Sequence, residues 1–175
     1  MIRLLASAGA AALLAGGGAL AQDNLDKLSK FQLTGDVEFT VIEQEGSRAD
    51  ALREILENIT LPDGFEISLY AIVPDARHIA VGPQGIVTFV GTRKTDIWAV
   101  TDRDKDRVAD EVKDFAPSLD KAIPNGVCFS RDGFLYTVER NRVLVFPAAE
   151  FFYESPDVAA FEVVPEGDLI PPSEE

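Results

Sequence analysis

From Phe65 onward the apolar residues come in short runs: FEISLYAIV, RHIAVG, IVTFVG, DIWAVT, EVKDFA, GVCFS, FLYTVE and RVLVF, each bounded by Gly, Pro, Asp, Asn or Ser. Runs of this length, rich in β-branched and aromatic residues and separated by turn formers, predict β-strands. The pattern before them is different. In SRADALREILENIT, Leu52, Ile55, Leu56 and Ile59 recur at helical spacing. This predicts one amphipathic helix, with Ser47 at its N-cap and Asp50 three residues on. Leu61-Pro62-Asp63-Gly64 then breaks the helical pattern. Further upstream, FQLTGDVEFTVI alternates weakly and allows a short strand or hairpin arm, after a polar stretch from Gln22 to Lys30.

The strands repeat. IAVGPQGIVTFV, from Ile79 to Val90, lies over VCFSRDGFLYTV, from Val127 to Val138, and this aligns Gly85 with Gly133 at an offset of 48 residues. A third strand follows in each unit, where Trp98 and Leu144 correspond at an offset of 46. A period in the upper forties holding four strands is the size of a β-propeller blade, ~40 to 50 residues in common propeller repeats. An eight-stranded sandwich would also show short, evenly spaced strands. The recurrence of one turn at one place in each unit favours the propeller. The expected fold is therefore all-β: a β-propeller of four-stranded blades, about two of them present, preceded by one short helix. Propellers close with about four to eight blades, so the chain is expected to be the start of a longer protein or to associate with more blades. The tail FFYESPDVAAFEVVPEGDLIPPSEE reads as an interblade connection.

The N-terminus MIRLLASAGAAALLAGGGALAQ has one early cation, Arg3, an apolar run of Leu, Ala and Gly, and Ala19-Leu20-Ala21 before Gln22. That is the pattern of a cleaved export signal over residues 1–21 and places the mature chain in a bacterial periplasm. An arm and helix over 22–60 and the blades over 61–175 complete the expected organisation. The leader is short and glycine-rich for a membrane span, and no later segment approaches the roughly 20 apolar residues a span needs.

With 30 acidic against 16 basic residues the formal charge is −14, and loss of Arg3 makes it more negative still. Such a field repels nucleic acid and anionic lipid and favours cations or small neutral ligands such as sugars. The single cysteine, Cys128, cannot form an internal disulfide, and within GVCF it is expected to be a buried small hydrophobe. Trp98 is expected to pack between blades, and Phe151, Phe152 and Tyr153 over an outer blade edge.

TDRDKDRVADEV, residues 101–112, sets Asp102, Asp104 and Asp106 at alternate positions, with the Val108 carbonyl and Asp110 beyond. This is the oxygen spacing of a calcium loop. Position six of such loops is a glycine in a left-handed turn; here it is Arg107, and Lys105 adds a second cation. The two readings are a structural calcium pinning a hairpin, and an acidic hairpin tip whose aspartates satisfy turn amides and pair with Arg103, Lys105 and Arg107. Either way the loop is a scaffold feature.

LPDGFEISLYAIVPDARHIAVGPQGIVTFVGTR, followed by IWAVTDRDKDRVADEV, IPNGVCFSRDGFLYTVERNRVLVF and LIPPSEE, resembles the start of the periplasmic quinoprotein sugar dehydrogenases, the glucose and sorbosone dehydrogenase group. The resemblance implies a six-bladed propeller holding pyrroloquinoline quinone (PQQ) at one end of its channel. It also implies oxidation of a sugar hydroxyl or aldehyde hydrate, with a histidine as base and the quinone as hydride acceptor. Arg77, in DAR, matches a position where the family often places a cofactor-contacting arginine, which could fork onto a quinone carboxylate; an ordinary rim salt bridge is the competing role. Asn125, in IPNG, is its repeat counterpart and faces the same channel end, or serves only as a turn residue before Gly126.

The family's catalytic histidine lies in a following blade. His78, the one histidine here, sits where the chain enters a core strand, and strand alternation turns it away from Arg77. It reads as a structural histidine, so no catalytic residue is assigned. The alternative function is a non-catalytic propeller used for binding or assembly. The sugar and the electron acceptor are not specified by the residues present.

Overall fold

The computed structural model describes residues 37–168. The leader over 1–21, the polar stretch from Gln22 to Lys30 and the terminal LIPPSEE lie outside the described residues. Eight strands follow one another: β1 (Ala76–Val81), β2 (Val87–Thr92), β3 (Ile97–Thr101), β4 (Glu111–Asp114), β5 (Gly126–Phe129), β6 (Leu135–Val138), β7 (Val143–Phe146) and β8 (Phe161–Val164). They form two four-stranded sheets, β1-β2-β3-β4 and β5-β6-β7-β8, with every neighbouring pair antiparallel. Each sheet is a simple meander of consecutive strands, consistent with propeller blades and unlike the crossed connections of a Greek-key sandwich.

Seven of the expected runs form strands. FEISLYAIV does not: its backbone joins neither sheet. The eighth strand is FEVV, inside the tail expected to be a connection. The repeat survives with two one-residue differences, one in each of the first two turns. Val81 pairs with Thr88 across the first turn, and Phe129 with Leu135 across the second, so the first turn holds one residue more. The hydrogen bond closing it runs from Gly82 N–H to Val87 O (2.8 Å), against Ser130 N–H to Phe134 O (2.9 Å) in the second. The β2–β3 turn is also one residue longer, Gly91 pairing with Ile97 against Val138 with Val143, and the two differences together take the offset from 48 at the glycines to 46 at Trp98 and Leu144. Gly85 and Gly133 both adopt left-handed conformations, φ 67° and 81°, where an L side chain would be strained.

The main core lies between the sheets. Val87, Phe89, Ile97 and Ala99 from the first meet Val127, Leu135, Leu144 and Phe146 from the second. Phe115, just past β4, stands edge-on to Phe89 (4.8 Å between centroids) and to Phe146 (5.1 Å). Each such ring contributes about 1.5–3 kcal/mol on burial. A second cluster, Val90, Trp98, Val100, Ala109 and Val112, sits on the first sheet's other face under Ile42, Ala71 and Val73. Trp98 therefore packs between the first sheet and the N-terminal segments, and not between the two sheets. Its pairing with Val90 puts it on the face turned away from the second sheet.

Upstream, the arm pairs weakly with the edge strand β4: Val41 bridges Lys113, and Ile42 N–H donates to Val112 O at 2.8 Å. This covers an edge that would otherwise offer unpaired backbone. The helix α1 (Ser47–Glu57) forms as expected, but its N-cap is Gly46 at φ 87°, without a side-chain cap, and Ser47 is already helical. Its apolar stripe is mostly open, with Ile55 and Ile59 exposed. A short helix, α2 (Ala149–Phe152), joins β7 to β8. The aromatic trio divides there: Tyr153 joins the intersheet core while Phe151 and Phe152 are exposed.

Candidate functional site

Both first strands are entered through a strained residue. Asp75 has φ 50° and Ile123 φ 56°, 48 positions apart in the chain. For a β-branched residue such as Ile123 this conformation is costly, and such outliers collect where the chain must aim side chains. Two residues beyond each stand Arg77 and Asn125. Ala76 pairs with Thr92 and His78 with Gly91, so Arg77 is the extra residue of a β-bulge. A bulge breaks the strict alternation expected here and re-aims a side chain. Arg77 is exposed, and among the described residues it makes no ion pair.

Asn125 is held from below. Gly91 in β2 approaches so closely that a Cβ there would lie 2.6 Å from Pro124 O and 2.9 Å from Asn125 O. Thr92 N–H donates to Pro124 O at 3.1 Å. The Asn125 side-chain oxygen is buried and has no partner among the described residues. An unpaired buried amide oxygen costs about 1–3 kcal/mol, which a donor on a ligand would recover.

His78 reaches from β1 to β5, its Nδ1 2.8 Å from Val127 O and 3.3 Å from Val127 N. Protonated at Nδ1 the ring donates to the Val127 carbonyl, and in the other tautomer Nδ1 accepts from Val127 N–H. The ring thereby ties the two first strands together, in keeping with a structural role.

A polar network that the sequence reading missed fixes the loop leading to Asn125. Buried Glu139 accepts from Ala122 N–H (3.1 Å) and from Arg142 Nε (2.8 Å). Arg142 also donates to Glu162 (2.9 Å) and to the Asp120 carbonyl. Buried Lys121 spends its ammonium on three carbonyls, of Phe115 (3.1 Å), Ala116 (2.8 Å) and Leu119 (3.2 Å). Burial holds its pKa below the ordinary range, opposed by Asp96, Asp114, Glu139 and Asp120. The VERNR charges and Lys121 carry no motif, so only their burial reveals them.

In the aspartate loop, Asp102, Asp104 and Asp106 each offer an oxygen within 4.8 Å of the others, a spacing that a cation can bridge. Asp110 is not in that group; its carboxylate accepts from Arg103 N–H at 2.5 Å. The three aspartates also satisfy turn amides: Asp104 takes Asp106 N–H (3.2 Å), Asp102 takes Arg107 N–H (3.2 Å) and Asp106 takes Val108 N–H (2.7 Å). Arg107 adopts φ 73° and Lys105 φ 61°, so the turn that calcium loops make with glycine is made here by strained L-residues. Arg103 pairs with Glu154 instead of with the loop acids.

Cys128 is exposed, contrary to expectation. Val127 faces the intersheet core, and alternation along β5 puts its neighbour on the second sheet's open face.

No protein-family model matches this chain, and no curated protein does. Among solved structures it is similar to a gluconolactonase from Xanthomonas campestris, with 22% identity and a TM-score of 0.46, over 62% of this chain and 33% of that one. The chain thus spans about a third of the length of that structure. Among the described residues no helix is long and apolar enough to cross a membrane.

Proposed function

We propose that this chain supplies the first two blades of an exported, quinone-dependent sugar dehydrogenase, with Arg77 and Asn125 turned toward the cofactor. The observation that carries the reading is the matched placement of these two residues. Each stands two positions past a left-handed residue, Arg77 in β1 and Asn125 immediately before β5; among the described residues Arg77, exposed in a bulge, makes no ion pair and the buried Asn125 amide oxygen has no partner. A guanidinium so placed would bind a quinone carboxylate as a fork. The bound quinone would supply the hydride acceptor for a sugar hydroxyl or aldehyde hydrate. The general base belongs to a later blade, since the His78 ring is committed to joining β1 and β5. A cation among Asp102, Asp104 and Asp106 would stiffen the hairpin without entering the redox chemistry.

The test is a quinone titration of the protein isolated from the cells that make it, with sugar-dependent dye reduction as the second readout. Arg77→Ala should weaken quinone binding about tenfold, the equivalent of 1.4 kcal/mol, and leave the melting temperature unchanged. Equal binding by the variant would remove Arg77 from the site. A wild-type protein that takes up no quinone and oxidises no sugar would leave the non-catalytic propeller as the reading.

A further inference from the structure

The net charge of −14 is not spread evenly over the two ends of the sheets. At the end where β3 runs into β4, the loop carries Asp102, Asp104, Asp106 and Asp110. At the other end, where β1 and β5 begin and β2 and β6 finish, Arg77, Arg93, Lys94 and Arg140 are all exposed. Among the described residues none of these four side chains makes an ion pair or a hydrogen bond. The acids around them are turned elsewhere. Glu139 serves Arg142 and the Ala122 amide, Asp114 takes Thr40 N–H at 2.8 Å, and Asp96, half-buried, acts on Lys121. Asp75 and Asp120 stay exposed on this end.

Arg93 and Arg140 hold the same place in the repeat. Thr88 and Leu135 are the residues paired across the first turn of each sheet, so past that turn the two blades run at an offset of 47, which carries Arg93 onto Arg140. The backbone agrees. Arg93 N–H donates to Asp75 O (3.3 Å) and Arg140 N–H to Ala122 O (2.9 Å), acceptors that are again 47 apart. Thr92 N–H on Pro124 O (3.1 Å) joins the first of these ledges to the second. A guanidinium therefore recurs at the end of the second strand of each blade, one strand further from the channel than Arg77 and Asn125. The chain has 30 acidic residues against 16 basic ones, yet it leaves these cations together and without acid partners. They repel one another until an anion arrives. We infer that the sugar entering at this end carries a carboxylate, held by Arg93 and Arg140 with Lys94 beside them, while Arg77 and Asn125 serve the cofactor nearer the channel. The substrate class is an acidic sugar, a uronate, and not the neutral sugar that the net charge of the whole chain favours. A planar guanidinium matches a carboxylate as a fork, and the carboxylate anchors the sugar without taking part in its oxidation. The inference rests on the sugar reading for the body of the ligand; the carboxylate comes from the charges of this rim.

Calorimetric titration of the protein isolated from its own cells, with glucuronate and with glucose, tests it, since the two sugars differ only by the carboxylate. Glucuronate should bind about tenfold more tightly than glucose, or better, which is the equivalent of about 1.4 kcal/mol. Arg93→Gln and Arg140→Gln should each cut that preference about three- to tenfold, as expected for one charge-assisted contact at an exposed site. Added salt should narrow it too. Equal binding of the two sugars would overturn the inference and leave the sugar reading standing; binding of neither would overturn both. A preference that both variants keep would also overturn it, and weaker quinone binding in those variants would give the two arginines to the cofactor instead.

Discussion

Glu150, in α2, caps the β1–β2 turn of the opposite sheet. Its two carboxylate oxygens accept from Gln84 N–H at 3.1 and 3.0 Å, and one of them from Ile86 N–H at 3.3 Å. The contact spans more than sixty residues of sequence and joins the second repeat to the first. Hydrogen bonds to a buried charge are worth about 1.5–3 kcal/mol and strand their donors when removed. Glu150→Ala should therefore lower unfolding stability by about 2–3 kcal/mol in urea. Glu150→Gln should also destabilise, because an amide NH₂ would oppose backbone donors. A loss within error for both would mean that the turn holds itself.

The close approach at Gly91 can be probed by one methyl group. A Cβ there would lie 2.6 Å from Pro124 O, whereas at Gly126 the nearest atom is 3.4 Å away on the Val138 side chain. Gly91→Ala should cost about 1–3 kcal/mol, as overpacking against backbone does, and Gly126→Ala clearly less. Denaturant midpoints of the two variants decide this.

Lys121 gives the fold a pH dependence of known sign. Burial lowers its pKa from 10.5, so between the lowered value and 10.5 the unfolded chain holds a proton that the folded chain releases. Stability from this site rises with pH through that window and is a cost below it. Lys121→Met should be less stable overall, since three carbonyls lose their donor, and should lack the alkaline rise that the wild type shows. Parallel stability profiles for the two proteins would contradict the assignment.

Arg107 occupies the left-handed turn of the aspartate loop at φ 73°. Glycine removes the Cβ strain and gives back part of the gain as unfolded-chain entropy. Arg107→Gly should raise the melting temperature by about 2–4 °C, the shift expected for about 1 kcal/mol in a chain of this size. Arg107→Ala keeps the strain and should not raise it.

The repeat was legible because its signals are local: the turn glycines, the strand-length apolar runs and the helical spacing of Leu52 to Ile59. What was not legible depends on partners. FEISLYAIV alternates as well as any strand, but a ladder needs a neighbouring strand, and here the backbone contact is a single bond from Ala109 N–H to Tyr70 O (2.7 Å). Cys128 is apolar in its surroundings along the chain, yet a sheet has two faces and only one is covered. The fall in offset from 48 at the glycines to 46 at Trp98 and Leu144 shows that two residues are lost, but only the strand pairing shows that each of two turns loses one. At the candidate site Arg77 and Asn125 were reached by repeat position and resemblance. The bulge at Arg77, the strain at Ile123 and the Glu139–Arg142 support under Asn125 come from the fold alone.

The central claim is that these two sheets are blades of a larger quinone-binding propeller, and the most direct measurement is the intact mass of the protein isolated from the cells that make it. The account expects a mass above the 19.0 kDa of the 175-residue chain, by about 5 kDa for each further blade of ~45 residues. A mass at or below 19.0 kDa, with no second chain bound, would contradict it.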